Sequence, residues 1–363
     1  MKLIHTADFH LSKKLRLDDF TKSLSKIKDC AFEYSVSTVV VAGDVFDKNT
    51  PDNEARAVFY EWLSSLLNTN IHVLILTGTH DAQQLAHGLL PLKRLNLEYL
   101  HIYDSLCVDV ISELKLYVLT IPHLIRPDFG MIKKKLDEFD SLEKSDGWLK
   151  IVIGHFAIIG TEVRNGFEIL EKSEDFVLPL TWFQQLKSVD YIALGHIHRH
   201  QQLLKNMVYA GSIERVNFGE KENKPCFVEV DIDGKECKIQ TVPFDVRPMV
   251  DIRATNDLEE QLKSLQSGTL VRLKVTEDQG INFRQIRKLI DDTGLLFYGI
   301  QRESIEVTPI TNMSVEERQG WVDIVLRKID EMKDYNKELL KSLFYSAYQK
   351  TEGSIDENTE IKF

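Results

Sequence analysis

Residues 37–47 read STVVVAGDVFD: a β-branched run from Ser37 to Ala42 that breaks at Gly43 and delivers two carboxylates, Asp44 and Asp47. A short, unbroken apolar run of this kind fits a strand buried on both faces. The same pattern recurs on either side. Lys2 to Thr6 reads as a strand and leads into Asp8-Phe9-His10, while His72 to Thr77 leads into Gly78-Thr79-His80-Asp81. Between these runs lie helical patterns. One covers Asp19 to Tyr34, with Leu24, Ile27, Ala31 and Tyr34 near helical spacing, and another opens at Pro51-Asp52 and runs to about Leu67. The order β-α-β-α-β predicts a mainly parallel sheet with helices packed on it, hence an α/β fold. Further strand-like runs follow at Leu116–Ile121, Lys150–Ile153, Tyr191–Leu194, Met207–Ala210 and Cys226–Asp231. Several are short and separated by turns, which suggests a second, more antiparallel sheet.

The chemistry-bearing residues fall just after these strands, where open α/β sheets bind their ligands. To the three clusters above the sequence adds Gly154-His155 and Gly195-His196-Ile197-His198. One cluster alone means little, since Asp-x-His is common in solvated loops and GDVFD reads equally well as a turn with a helix cap. Five together, all at strand ends, point to a metal centre. Carboxylate and imidazole donors suit divalent manganese, iron or zinc, and a bridging carboxylate suits a two-metal site.

Composition limits the alternatives. The 363 residues carry 45 basic and 56 acidic side chains, a net charge of −11, which excludes a uniformly basic nucleic-acid binder but not a local basic groove. Four scattered cysteines without a Cys-x-x-Cys pair argue against a zinc ribbon or a disulfide framework. No apolar run approaches the roughly 18 residues of a membrane span, and His5 and Asp8 interrupt the apolar start, so neither a membrane segment nor a signal peptide is expected. The reading is a soluble cytoplasmic protein.

The order D-x-H, GD-x-x-D, GxHD, GH and GHxH resembles the calcineurin-like metallophosphoesterase superfamily. The string Tyr209 to Glu220, YAGSIERVNFGE, is similar to a segment of the SbcD-type nuclease subunits, and KLIHTADFHL and VPFDVRPMVDI look like the same family. The resemblance implies an α/β/β/α sandwich with a small α+β capping domain and C-terminal helices. It implies a metal-dependent nuclease acting on duplex ends and on single-stranded or hairpin DNA in break repair, alongside an SbcC-like, SMC-type ATPase. A homodimer within a heterotetramer is expected. The cofactors implied are two divalent ions, manganese foremost. Asp8, His10 and His198 would hold one ion, His155 and His196 the other, and Asp44 would bridge them. His80 would contact the scissile phosphate or protonate the leaving oxygen, Asp81 would orient His80, and Asp47 would stand behind the ligands. The family pattern has Asn where this chain has Thr79, a shorter and poorer neutral ligand for the second ion. Two rival readings are a small-molecule phosphodiesterase of the same superfamily, and a weakly catalytic DNA-binding scaffold that regulates the ATPase.

The expected domains are a nuclease domain over 1–246, a capping domain over 247–312 that contacts DNA, terminal helices over 313–350 for the ATPase, and a polar tail over 351–363. The capping unit reads as strands Met249–Ala254, Leu270–Val275 and Leu295–Arg302 with helices Asp257–Leu265 and Asn282–Ile290 between them. Ser314-x-x-Glu317 forms a capping box before an apolar stripe at Trp321, Val325, Ile329 and Met332. Lys13, Lys14 and Arg16 are candidates for DNA phosphates. His5, His72 and His101 read as ordinary strand residues, His123 and His200 as site neighbours rather than ligands, and Lys133 to Lys135 as an exposed helix face.

Overall fold

The computed structural model describes residues 1–14, 16–82, 88–164, 167–168, 176–233, 236–255, 257–276 and 283–303, and parts of 322–345. It divides into two compact units, Met1–Leu273 with Asn282–Ile300, and Lys274–Ile281 with Gln301–Phe363.

The first unit is built on two sheets. In the first, the strands Lys2–Thr6, Thr38–Ala42, His72–Leu76 and Leu100–Tyr103 run parallel. Their alternate side chains serve two cores. Ile4, Val39, Val41, Val73 and Ile75 pack with Phe20, Leu24 and Ile27 of the helix Leu17–Glu33 and Phe59 and Leu63 of the helix Asn53–Leu67. Leu3, Val40 and Leu74 face the other way and pack with Val118, Ile151, Ile153 and Ala193 of the second sheet. The outer side of the second sheet, through Leu119, Val152, Ile192 and Leu194, packs on Ile132, Leu136 and Phe139 of the helix Phe129–Ser141. The layers are α/β/β/α, as expected. Asp52 caps the second helix by accepting from Ala55 N, the role its place after Pro51 suggests.

The second sheet departs from the expectation. Its central strands Leu116–Ile121, Leu149–His155, Tyr191–Gly195 and Met207–Tyr209 are parallel, and only the edge strands Cys107–Ile111 and Gln201–Leu204 are antiparallel. The hairpin Cys226–Asp233 and Glu236–Pro243 joins the first sheet instead, antiparallel to the N-terminal strand with Lys2 opposite Asp231. The physical signal was the apolar continuity of IVI and IAL, which marks strands buried on both faces and therefore parallel pairing.

The strands Met249–Arg253, Leu270–Thr276 and Leu296–Glu303 form a separate sheet, accompanied by the helices Leu258–Lys263 and Phe283–Asp292. These five elements fall where the periodicity of the sequence puts them, within a few residues at each end. In the second unit, the described residues between 322 and 345 are helical. The capping box at Ser314, the Trp321 position and the tail 351–363 lie outside the described residues.

One buried cation ties the second sheet to its helix. Lys150 is fully buried, and its Nζ donates to the carbonyls of Phe139, Asp140 and Leu142 and to Ser188 Oγ. A positive charge at a helix C-terminus meets the negative end of the macrodipole and the carbonyls that lack partners there. Lys150→Met should therefore cost about 2–4 kcal/mol of stability, in line with losing hydrogen bonds to a charged donor. Denaturant unfolding measures it, and metal affinity should stay unchanged.

Candidate metal centre

The candidate ligands lie at or just after the carboxyl ends of strands, and several of them have unusual backbones. Asp8, His10, Asp44 and His196 have φ of 53°, 45°, 52° and 89°. Non-glycine residues rarely adopt this left-handed region, and such strain collects at functional sites. Two glycines make the space. A Cβ on Gly43 would stand 2.1 Å from His155 Nδ1, and one on Gly78 would stand 2.2 Å from Asp44 Oδ1. Neither position tolerates a side chain without moving a ligand.

The two sheets each bring part of the cluster. Asp8, His10, Asp44 and His80 come from the first, and His155, His196 and His198 from the second. Three overlapping groups place donor atoms within 4.8 Å of one another: Asp8, His10 and His198; His10, Asp44 and His80; and Asp8, Asp44 and His155. His10 Nε2 lies 2.9 Å from His198 Nε2 and 3.7 Å from Asp44 Oδ2. His155 Nε2 lies 3.3 Å from Asp44 Oδ2 and, although buried, makes no hydrogen bond. His196 N–H donates to both oxygens of Asp8, at 3.0 and 3.1 Å. Its ring packs edge-on to His155, with centroids 5.2 Å apart, and its Nδ1 is 3.4 Å from Thr79 Oγ1. Imidazole nitrogens converging on carboxylates, one of them buried without a hydrogen bond, are what a divalent ion needs. The residues fit a metal.

Several ligand tautomers are fixed from behind. His155 Nδ1 donates to Ala42 O at 2.8 Å, which turns Nε2 toward Asp44. His198 Nδ1 pairs with Glu220 Oε1 at 3.0 Å, which turns Nε2 toward His10. Such outer partners orient the ring and raise its basicity. Residue-by-residue reasoning from the sequence gives Glu220 no role. It stands 22 residues from its partner, so only its place at the end of the FGE string could have flagged it.

His80 and Asp81 are organised differently from the expectation. His80 Nδ1 donates to the backbone carbonyl of Asp47 at 2.8 Å, and its ring stands edge-on to His10, with centroids 4.9 Å apart. Asp81 turns elsewhere. Its buried Oδ2 accepts from Val45 N and Gly78 N, both at 3.2 Å, and its Oδ1 makes no hydrogen bond. Asp81 therefore pins the two ligand loops together, and Asp47 acts on His80 through its main chain. Among the other candidates, Lys13 and Lys14 are exposed, with Lys13 Nζ paired to Glu54. Arg16 turns inward to Asp19 at 3.0 Å and the Arg215 carbonyl at 2.7 Å. Lys133, Lys134 and Lys135 pair with Asp137 and Glu138 along their own helix, as a solvated face does.

The electrostatics are those of a closely packed charge cluster. Burial pushes His155 down, but the Asp44 carboxylate outweighs it and raises the ring to about 9. Burial likewise opposes His198, and the hydrogen bond and charge of Glu220 raise it to about 9. Burial lifts Asp8 to about 6 against the pull of His155. Burial, then the charge of Asp44, lifts Asp81 to about 7. Burial would raise Asp44 too, yet its imidazole neighbours, His155 first, pull it well below the carboxylate range. Burial and His155 hold His196 near 3, and burial and His198 hold His10 well below its usual value. Without an ion, protons on His155 and His198 balance the carboxylates.

This fold and site define a class. The calcineurin-like phosphoesterase family model matches residues 1–200, and the chain belongs to that family. Among its relatives, the chain is 25% identical over 300 residues to the SbcD component of the SbcCD nuclease of Bacillus subtilis, covering 74% of this chain and 76% of that protein. It is 26% identical to the DNA double-strand break repair protein Mre11 of Sulfurisphaera tokodaii, covering 73% and 68%. The Mre11 protein of Archaeoglobus fulgidus is 23% identical and covers 100% of this chain and 90% of its own.

Ion binding must displace the protons from His155 and His198, since a ligand nitrogen has to be free. At pH 7 both rings are protonated, so loading should release about two protons. Apparent metal affinity should therefore rise with pH and level off above about 9. Calorimetric titration in buffers of different ionisation enthalpy counts the protons. Release near zero at pH 7 would contradict the charge balance described above.

Proposed function

We propose that this chain is a DNA nuclease, a metal-dependent phosphodiesterase that cuts duplex ends and single-stranded or hairpin DNA. The observation that carries this reading is the set of three overlapping donor groups, Asp8 with His10 and His198, His10 with Asp44 and His80, and Asp8 with Asp44 and His155, each with its donor atoms within 4.8 Å of one another, and with His80 exposed. In this reading Asp8, His10 and His198 hold one divalent ion, His155, His196 and Thr79 the other, and Asp44 serves both. When bound, two such ions, manganese in our reading, supply an activated water and neutralise the phosphoryl oxygens. The protein's own residues do the rest. Asp81 keeps the Gly78 and Val45 loops in register. Asp47 holds the His80 ring by its Nδ1, which leaves Nε2 to face the phosphate and, when the ring carries its second proton, to hand that proton to the leaving oxygen.

The relatives' names support a role in DNA break repair with an SbcC-like ATPase, and the YAGSIERVNFGE string speaks for that branch of the family over a small-molecule phosphodiesterase. We assign partner docking to the helices within 313–350, DNA contact to the capping unit over 247–312 and to Lys13 and Lys14, and a homodimeric, cytoplasmic assembly to the complex. Arg16, tied to Asp19 and Arg215, serves this surface by shaping it. Among the described residues, no helix is long and apolar enough to cross a membrane.

The direct test is hydrolysis of labelled hairpin and duplex DNA with manganese, with and without the ATPase. Failure to cut either, in a chain that binds metal, would refute the nuclease reading. His80→Ala should keep its ions by calorimetry and lose roughly 10²–10⁴-fold in turnover, the usual worth of general acid–base catalysis. Loss of an ion instead would make His80 a ligand. Thr79→Asn should tighten the weaker ion site and raise cleavage at low metal, because an amide carbonyl reaches further than a hydroxyl. Two equally tight sites in the unmodified chain would show that Thr79 suffices.

A further inference from the structure

The turn that orients His198 is gripped from the other side by the small three-stranded sheet. Glu220 closes the short helix Phe218–Glu220, and it is buried. Its carboxylate accepts from His198 Nδ1 at 3.0 Å, from Val216 N at 2.9 Å and from Asn217 Nδ2 at 2.8 Å. The residues two before and one after it point away from the metal cluster. Phe218 forms a small core with Met249 and Leu270 of the sheet. Arg272 lies over its ring at 4.6 Å, and Tyr298 packs on it with centroids 4.5 Å apart. Lys221 Nζ reaches Asp251 Oδ2 at 2.9 Å, and Arg272 makes a two-pronged bond to the same carboxylate, at 2.6 and 3.0 Å. Asp251 thus joins the turn to two strands of the sheet at once.

From this arrangement we propose that the small sheet sets the affinity of the ion held by Asp8, His10 and His198, with Asp251 as the positioning residue that acts through Lys221, Glu220 and His198. The inference rests on the metal-centre reading above. Glu220 is held between two anchors, so the distance from its carboxylate to His198 follows the placement of the sheet. Outer partners of a ligand histidine are typically worth 10–100-fold in metal affinity. The effect is selective. His155 is oriented by the Ala42 carbonyl of the first sheet rather than by this turn, so the second ion is left alone. The coupling is also reciprocal: whatever the sheet does for the ion, the ion does for the sheet.

The test is a two-site manganese titration of the full chain by calorimetry, with hydrogen exchange of residues 249–253 and 270–273 measured with and without the ion. In the unmodified chain, manganese should slow exchange in both strands. Asp251→Asn should weaken one ion about ten-fold, spare the other, and abolish the slowing. Lys221→Met, which removes a single bond to Asp251, should do the same in smaller measure and serves if Asp251→Asn fails to fold. Asp251→Glu should restore part of the affinity. Equal affinities in all variants, or equal weakening of both ions, would overturn the coupling. An unmodified chain that binds no manganese would overturn the metal reading itself, a different outcome read from the same first titration.

Discussion

Bringing carboxylates and imidazoles together where water is scarce is the constraint on which the rest of this structure depends. Charged groups lose their hydration on burial and must find partners. Here Asp8, Asp44 and His155 have essentially no exposure, yet they sit in mutual contact. The fold meets this with rigid strands that end together, with left-handed residues that turn sharply at the strand ends, and with backbone groups used as counter-dipoles. His196 N–H and His80 N–H each donate to a ligand carboxylate, and the Ala42 carbonyl receives His155. A protein without a cation to bind would gain nothing from such an arrangement, because an apolar seam of the same shape would be more stable.

Much of this was legible in the sequence, for a physical reason. Strands buried on both faces read as unbroken apolar runs, so TVVVA and HVLIL announce themselves, and the polar residues that follow stand out against them. The candidate donors stand out because they are side chains in local clusters, and the fold brings those clusters together. What stayed hidden depends on distance or on the main chain. The hairpin at Cys226 joins the sheet begun at Lys2, a pairing that no local pattern encodes. Asp81 follows His80 in sequence, which made it the natural partner, yet that side chain serves the loops. The carbonyl of Asp47 does the orienting, and a backbone carbonyl leaves no mark on residue identity. Glu220 was visible as a letter, but its partner lies across the fold.

The small three-stranded sheet is an addition to the α/β/β/α body that our proposal makes part of its chemistry. The α/β/β/α body holds the donor atoms by itself, and the small sheet contributes none of them. It fastens instead the segment behind one ligand, through Phe218 and Lys221. An outer shell of this kind can adjust a site without touching its contents.

The split of the ligands between the sheets also governs how the chain is made. Asp8 and His196 meet across 188 residues, and Lys2 pairs with Asp231. Topologies of such high contact order fold slowly, because long loops must close before their contacts stabilise anything. On the ribosome the first sheet emerges with Leu3, Val40 and Leu74 uncovered until the second sheet follows. Half of the donors then exist without the other half, so no complete ion site forms on the nascent chain. A complete set of donors is in this sense a report that the two sheets have closed on each other, and a chain that ends before His155 has only the donors of the first sheet.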